Sequence, residues 1–459
     1  MSKRGEMAKK ETRGIDLNDT RLERRFGQLV EMMARAPDQS FPHASGESDA
    51  ALEATYRFLR NESVNHEALL APHYASTLGR IREDDEVLIV HDTTEFRFEG
   101  DREGLGRLQK DLQGFMGHFA LAVSADGRRR ALGVIGFLPV IRSWELVTAH
   151  WRTRSRDANK ESLRWGKLVG EVVERTQGGP ALIHVMDREA DSFELLSALI
   201  EHHQRFIIRV RAENRRTADA GYVGDAMQGL DAFAEREVAL SARKAKYTKG
   251  TSKSAPRPAR NQRIAKLQVR ARSVHLKAPD RSNEAPVTIN MVHVMEVDAP
   301  DGQEPVDWKL FTTDPIDTVD QVLLVVDRYR SRWVIEEYFK AIKTGCAYER
   351  RQLGTGRALL NALALFIPIA WTLLVLRQEC RNHNAAPTAL TPLQLQVLRA
   401  VLRKPLPSKP TARDVLLAIA ALGGHQKNNG DPGWQVLGRG LDRLLSYEVG
   451  WSAATSDQS

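Results

Sequence analysis

The sequence predicts a mixed α/β fold: a central sheet with helical segments before and after it in the chain. Three observations carry this. Apolar and alternating runs follow one another between Glu86 and Val140, in EVLIVHDTTEFRF and GHFALAVSADGRRRALGVIGFLPV, and turn residues such as SADGR separate them. Strand-like and helix-like runs then alternate, from ESLRWGKLVGEVVERT through ALIHVMD and DSFELLSALIEHHQ to QRFIIRVRAENRR. Outside this region the apolar residues recur at helical spacing.

In chain order, Leu22, Phe26, Leu29, Val30 and Met33 mark one face of a helix over Arg21–Ala36, with Arg21, Arg24, Arg25 and Arg35 on its other faces. A second helix covers DAALEATYRFLRN, so residues 1–70 are expected to form a small basic helical domain able to meet phosphates. Residues 71–357 should carry the α/β core, with a β-rich insertion at about 215–320 marked by IAKLQVRARSVHL, VTINMVHVMEV and DWKLFTT. Inside it, KAKYTKGTSKSAPRPARNQRIAK has no acidic residue and reads as a mobile basic loop. From 358 to 459 the chain is expected to be helical again, through PLQLQVLRAVLRK, ARDVLLAIAALGG and GWQVLGRGLDRLLSY.

A chain of 459 residues, 42% hydrophobic and 27% charged, is globular rather than disordered or fibrous. Its net charge of +8 and pI near 9.4 point to a polyanionic partner or a membrane surface, nucleic acid first. Cys346 and Cys380 are the only cysteines, far from any CxxC spacing, so neither a disulfide framework nor a thiolate zinc site is supported, and a reducing cytoplasm fits. The charged start, MSKRGEMAKKETRG, lacks the apolar run of an export signal. The stretch LLNALALFIPIAWTLLVL, Leu359–Leu376, is uncharged and about long enough to cross a bilayer. Asn361 and Pro368 interrupt it, and the expectation is a buried core helix with no membrane contact.

The candidate chemistry lies in YRSRWVIEEYFKAIK. At about 100° per residue, Tyr329, Arg332, Glu336 and Lys343 share a sector of roughly 60° with Lys340 beside them, while Val334, Ile335, Tyr338, Ala341 and Ile342 form the opposite, apolar face. By itself this is a solvated stripe in which Arg332, Glu336 and Lys340 pair at four-residue intervals. Two aspartates change the weighting: Asp92 follows the apolar run Val87–Val90, and Asp187 follows Ala181–Met186, so strands would deliver both at or near their ends. Alone, each has a plain structural reading, a turn for Asp92 and a helix cap for Asp187. Together with Glu336 they are the hard oxygen ligands that two Mg²⁺ ions require for transfer at a phosphodiester, with the cations of the stripe holding the phosphate. Glu337 and Asp191 fall off this arrangement and read as secondary, and Arg188 is assigned a neighbouring carboxylate rather than DNA.

The spacing Tyr329-x2-Arg332-x3-Glu336-x6-Lys343 resembles the Tyr-Arg-Glu-Lys signature of bacterial insertion-sequence DDE transposases, the family of the transposon-five transposase. HDTT around Asp92 and MDREAD from Met186 to Asp191 resemble its first two catalytic motifs, and YRFLRN, LGG and GDPGW match its flanking domains. The resemblance implies a ribonuclease-H-like core, a catalytic triad of Asp92, Asp187 and Glu336 loaded with two Mg²⁺ ions for which Mn²⁺ substitutes, and cut-and-paste transposition through nicking, hairpin formation, hairpin opening and strand transfer. It also implies double-stranded DNA as partner, a homodimer held through the final helices, and a cytoplasmic, nucleoid-associated location. Tyr329, Arg332, Lys340 and Lys343 would then contact phosphates, and Trp308 would stack on a flipped base, where composition alone reads it as a core tryptophan. Arg209 and Arg211, on one face of RFIIRVR, would contact DNA as well. The chain departs from the pattern at Gly438, where relatives often carry an aromatic residue, and in the length of its basic loop. Two alternatives stay open: an inactive DNA-binding relative that represses transposition, and a ribonuclease-H-like nuclease for branched or hybrid substrates.

Overall fold

A computed structural model of the chain describes residues 10–46, 48–109, 112–142, 161–219, 221–240, 242, 245, 258–280, 284–381, 390–426 and 432–456. The chain opens with α1 (Thr20–Arg35), the single turn α2 (Phe41–Ala44), α3 (Asp49–Arg60) and α4 (His66–Ile81). Side chains satisfy first free N–H groups of all four helices: Asp19 accepts from Arg21 N, Ser40 from His43 N, Ser48 from Ala51 N and Asn65 from Ala68 N. The sequence pattern does not announce α4, because it is apolar on several sides and contains Pro72. A buried ion pair ties the segment ahead of α1 to it: Glu11 lies 2.7 Å from Arg80 and 2.5 Å from His73 Nδ1, while His73 Nε2 accepts the Val134 N–H.

One mixed sheet of ten strands comes next. Strands β1 (Glu86–Phe98), β2 (Gly106–Gln109), β3 (Leu112–Ser124) and β4 (Ala131–Val140) form the expected antiparallel meander, with the short β2 added. The helix α5 (Arg164–Arg175) leads to β5 (Ala181–Met186), and α6 (Phe193–Glu201) leads to β6 (Arg205–Arg209); both strands run parallel to β1, so the order through this part is β4-β3-β1-β5-β6. Residues 215–320 are β-rich as expected, but they extend the same sheet. Strands β7 (Ala234–Leu240), β8 (Arg263–Leu276), β9 (Val287–Val297) and β10 (Asp307–Thr312) add in the order β6-β10-β9-β8-β7. Most of the basic loop, residues 246–257, lies outside the described residues.

Strand alternation sorts the core into two layers. Ile183, Val185, Ile207, Val292, Val294 and Leu310 pack with Val322, Val325 and Val326 of α7 (Val319–Arg330) on one face of the sheet. Met186, Phe206, Ile208, Met291 and Phe311 pack with Trp165, Phe193, Leu196 and Leu199 on the other. After α7 come α8 (Trp333–Lys340), a π-helical turn over Ala341–Gly345, and α9 (Gly356–Arg381). The helix α9 is apolar enough to cross a bilayer, yet 83% of its most apolar window is buried by protein. Asn361, a buried polar residue within it, donates to Leu59 O and Val64 O at 3.1 Å. It is a core helix, as its interruptions suggest.

The last helices are α10 (Pro392–Val401), α11 (Ala412–Leu422) and α12 (Trp434–Ser456), two of them started by Thr391 and Thr411 capping boxes. Helices α11 and α12 meet backbone to backbone: a Cβ at Gly440 would stand 1.8 Å from Ile419 O, and one at Gly423 would stand 1.9 Å from Val436 O. Gly440→Ala must push the two helices apart and is expected to lose about 1–3 kcal/mol of stability, as for other overpacking changes. A thermal unfolding midpoint equal to that of the unmodified chain would contradict this contact.

Candidate active site

Parallel pairing sets two carboxylates side by side. Strands β1 and β5 pair Leu88 with Ile183, Val90 with Val185 and, last, His91 with Met186. Asp92 and Asp187 each stand one residue further on, and by alternation both point to the face that α7 covers. Asp92 is not at a strand end, as expected from sequence; β1 continues to Phe98 because β3 keeps pairing with it. The site forms where β5 stops and leaves that edge of β1 open. Asp187 does act as a cap, its Oδ1 accepting the Glu189 N–H at 2.8 Å at the start of a 3₁₀ turn.

The segment Tyr329–Lys343 is not one helix. The helix α7 ends at Arg330, Ser331 and Arg332 form a tightened turn in which their N–H groups bond to Arg328 O and Tyr329 O at 3.0 Å, and α8 starts at Trp333. Its apolar face is buried as anticipated, through Val334, Ile335, Tyr338, Ala341 and Ile342. The polar stripe is divided by the turn and by the π-helical turn after Lys340. Arg332 and Glu336 remain at the carboxylates: one guanidinium nitrogen of Arg332 donates to Asp92 Oδ2 and the other to Glu336 Oε1, each at 2.7 Å. Glu336 thus reaches the aspartates from a helix far from either of them in the chain.

Electrostatics mark the same place. Burial pushes the Asp92 carboxyl up to about 7; Arg332 opposes that shift, and the charges of Asp187 and Glu336 add to it. Burial works against the Arg332 charge, but Asp92, Tyr329 and Glu336 hold its pKa above the ordinary value. Asp92 Oδ1 accepts the Thr93 N–H at 2.8 Å, so both of its oxygens are engaged.

The remaining predicted residues divide. Tyr329 is buried, edge-on to Trp308 with ring centroids 5.8 Å apart, and burial raises its phenol pKa while Arg332 and Arg209 lower it. Trp308 is half-buried and follows the alternation of Leu310, which places it on the carboxylate face. Arg209 shares that face with Ile207 and donates to Asp307 O at 3.2 Å. Arg211 is exposed and lies just past the end of β6, where Asp191 Oδ2 accepts its backbone N–H at 2.6 Å. Asp191 also pairs with Arg215 at 2.7 Å, a structural role that fits its secondary ranking. Arg188 is exposed, and the carboxylate partners considered for it are taken by other arginines, Glu189 by Arg164 at 3.0 Å and Asp191 by Arg215. Lys340 is exposed at the end of α8. Lys343 is turned away from the carboxylates by the π-helical turn: its ammonium donates to Glu95 O, lies 3.8 Å from Glu349 and sits over the Phe96 ring, and burial lowers its pKa.

Sequence reasoning passes over several neighbours. Trp333 is 51% exposed beside the Arg332 guanidinium, an accessible indole that a base could stack on. On the opposite face of β1, His91, His118 and His184 are buried together, with His91 Nε2 2.9 Å from His184 Nδ1 and His118 Nδ1 2.9 Å from Thr93 Oγ1. Burial keeps all three neutral by lowering their pKa values, His184 to about 4. Arg164 of α5 donates to Thr93 Oγ1 at 3.1 Å and to Glu189 at 3.0 Å, linking the residues after Asp92 and Asp187. Only the histidines in HDTT and in the run before Asp187 carry a sequence signal, as polar residues inside otherwise apolar strands.

The donor set at the carboxylates is all oxygen, which suits a hard divalent cation. Among the described residues no group of three or more His, Cys, Asp or Glu side chains stands at metal-ligand spacing. A guanidinium spans Asp92 and Glu336 and sets the distance between them. The residues fit a divalent ion in kind, and such an ion would offset the repulsion that the charges of Asp187 and Glu336 add at the buried Asp92 carboxyl.

Residues 4–64 match the family described as transposase DNA-binding, and residues 172–371 match the transposase DDE domain. Each match covers less than half of the chain, and both describe segments of transposases. The second match contains Asp187 and Glu336, and Asp92 stands ahead of it. Among solved structures, a piggyBac transposase synaptic complex with hairpin DNA is similar at 10% sequence identity and a TM-score of 0.36, over 78% of this chain. The chain spans 65% of the length of that protein.

Proposed function

We propose that this chain is a DNA transposase that cuts and joins DNA at Asp92, Asp187 and Glu336. The observation that carries the reading is the placement of two aspartates one residue past the last pair of adjacent parallel strands, with a glutamate brought to them by α8. The strand order β4-β3-β1-β5-β6, antiparallel in its first three members and parallel in its last, supports a ribonuclease-H-like core. Within the transposases, the Tyr329, Arg332, Glu336 and Lys343 spacing supports the insertion-sequence branch with the Tyr-Arg-Glu-Lys signature. On this reading residues 1–70 bind DNA, 71–357 catalyse, and 358–459 pair two copies in the complex that joins two transposon ends.

Asp92, Asp187 and Glu336 would hold two Mg²⁺ ions, which when bound activate the attacking oxygen and stabilise the leaving one. The chain's own part is to place the phosphodiester. Arg332 offers a planar pair of donors that matches two phosphate oxygens. Lys340 and Arg211 are exposed and available to the flanking phosphates, Arg209 is half-buried on the carboxylate face, and Lys343 lies further along β1. Trp308 and Trp333 flank the site as stacking surfaces for a base displaced from the duplex, a contact worth about 1–3 kcal/mol. One site then serves nicking, hairpin formation, hairpin opening and strand transfer, because each is an in-line attack on a phosphodiester.

The test is to incubate the protein with the repeats that flank its own gene, vary Mg²⁺, and look for nicked, hairpin and joined products. Binding without any cleavage would favour a repressor, and cutting of RNA–DNA hybrids alone would favour a nuclease. End binding is also expected to weaken steeply with salt. Contact with about six phosphates lowers affinity roughly a thousandfold between 50 and 200 mM salt, and a flat response would contradict the proposed phosphate contacts.

A further inference from the structure

The position of Arg332 has a consequence for how the site is loaded. Its guanidinium takes one oxygen from Asp92 and one from Glu336, both at 2.7 Å, and the other Asp92 oxygen is held by the Thr93 N–H. The Arg332 side chain is only 11% exposed, and its charge lies 5.3 Å from the Trp333 ring centre. A divalent cation shared by Asp92 and Glu336 would draw on the same two carboxylates, and it would meet a fixed positive charge within a few ångströms in a poorly solvated place. Guanidinium and metal therefore compete.

We propose that Arg332 is a latch: in the DNA-free protein it closes the carboxylate site as a resident cation, and a phosphodiester of bound DNA draws it away and opens the site to divalent ions. This rests on the transposase reading above. A guanidinium forms its best paired hydrogen bonds with phosphate as readily as with carboxylate, so the DNA backbone is a fitting alternative partner. The position of Arg332 in the turn between α7 and α8, ahead of the first residue of α8, lets the side chain swing without unwinding either helix. Linkage makes the coupling reciprocal: if DNA tightens the binding of the ion, the ion tightens the binding of DNA by the same factor. The device keeps metal-activated water out of the site until DNA is in place.

The test measures Mn²⁺ binding to the full chain by electron paramagnetic resonance, with and without a short duplex carrying the flanking repeat. In the absence of DNA, Arg332→Gln is expected to bind Mn²⁺ at least about tenfold more tightly than the unmodified protein, the scale on which hydrogen-bond partners of metal ligands change affinity. The duplex should raise the affinity of the unmodified protein toward that of the variant and leave the variant nearly unchanged. Arg332→Lys, which keeps a charge but cannot span both carboxylates, should fall between them, and unchanged thermal unfolding verifies that the variants are folded. Equal affinities for the unmodified protein and Arg332→Gln, both weakened by Asp92→Asn, would overturn the latch while sparing the carboxylate site. Mn²⁺ binding insensitive to Asp92→Asn in every protein, with and without the duplex, would overturn the site and the latch with it.

Discussion

Glu336→Gln is expected to lower DNA cleavage and joining by about a thousandfold or more while leaving DNA binding intact. The amide keeps the shape of the side chain and its hydrogen-bonding reach but removes the charge that a divalent ion needs, and metal assistance supplies several kcal/mol of the barrier reduction, with about 1.4 kcal/mol per factor of ten. Binding should hold, because neutralising a carboxylate beside a phosphate removes repulsion. Single-turnover cleavage and gel-shift titration on the same preparation separate the two effects. A variant that cleaves within tenfold of the unmodified protein would remove Glu336 from the chemistry.

The second large effect is on stability, at the opposite end of β1 from Phe98. Glu86 and Asp314 bind two arginines between them: Arg328 to Asp314 at 2.6 Å and to Glu86, and Arg205 to Asp314 at 2.8 Å and to Glu86 at 2.6 Å. Arg328 is 7% exposed and Asp314 is 2% exposed, and Arg328 adjoins Tyr329 on α7. Asp314→Ala leaves the Arg328 charge buried with half its partners gone, and breaking a buried pair in this way costs about 3–5 kcal/mol. Urea denaturation should show that loss. By contrast, Glu53→Ala removes a pair whose side chains are both 73% exposed and should leave the denaturation midpoint unmoved. Equal effects from the two substitutions would contradict the role given to burial.

Much of this arrangement is legible in the sequence, for identifiable reasons. The strands that carry the aspartates announce themselves as apolar runs, because β1 and β5 are buried on both faces. The apolar side of α8 is equally plain. The break at Ser331 is not, since Ser and Arg both continue a helix readily and the turn keeps nearly helical backbone angles. The same holds for the π-helical turn that carries Lys343 away: AIKTG contains no residue that forces it before Gly345. A stripe drawn on one straight helix therefore places Arg332 and Glu336 well and Lys343 badly. Asp92 is expected near a strand end because apolar character stops there, whereas β1 goes on through TTEFRF, paired with β3. The addition of β10, β9, β8 and β7 to the main sheet depends on pairing between distant segments, which alternation within a strand does not encode. Distance in the chain hides the buried histidines for the same reason: His91, His118 and His184 become neighbours only once three strands are aligned.

The central claim is that Asp92, Asp187 and Glu336 share divalent ions. Crystals of the protein with duplex DNA, soaked in Mn²⁺ and measured at the manganese absorption edge, test it most directly. Anomalous density is expected between these three carboxylates, with Arg332 moved onto a phosphate. Manganese bound elsewhere, or density that leaves any one of the three side chains out of contact, would contradict it.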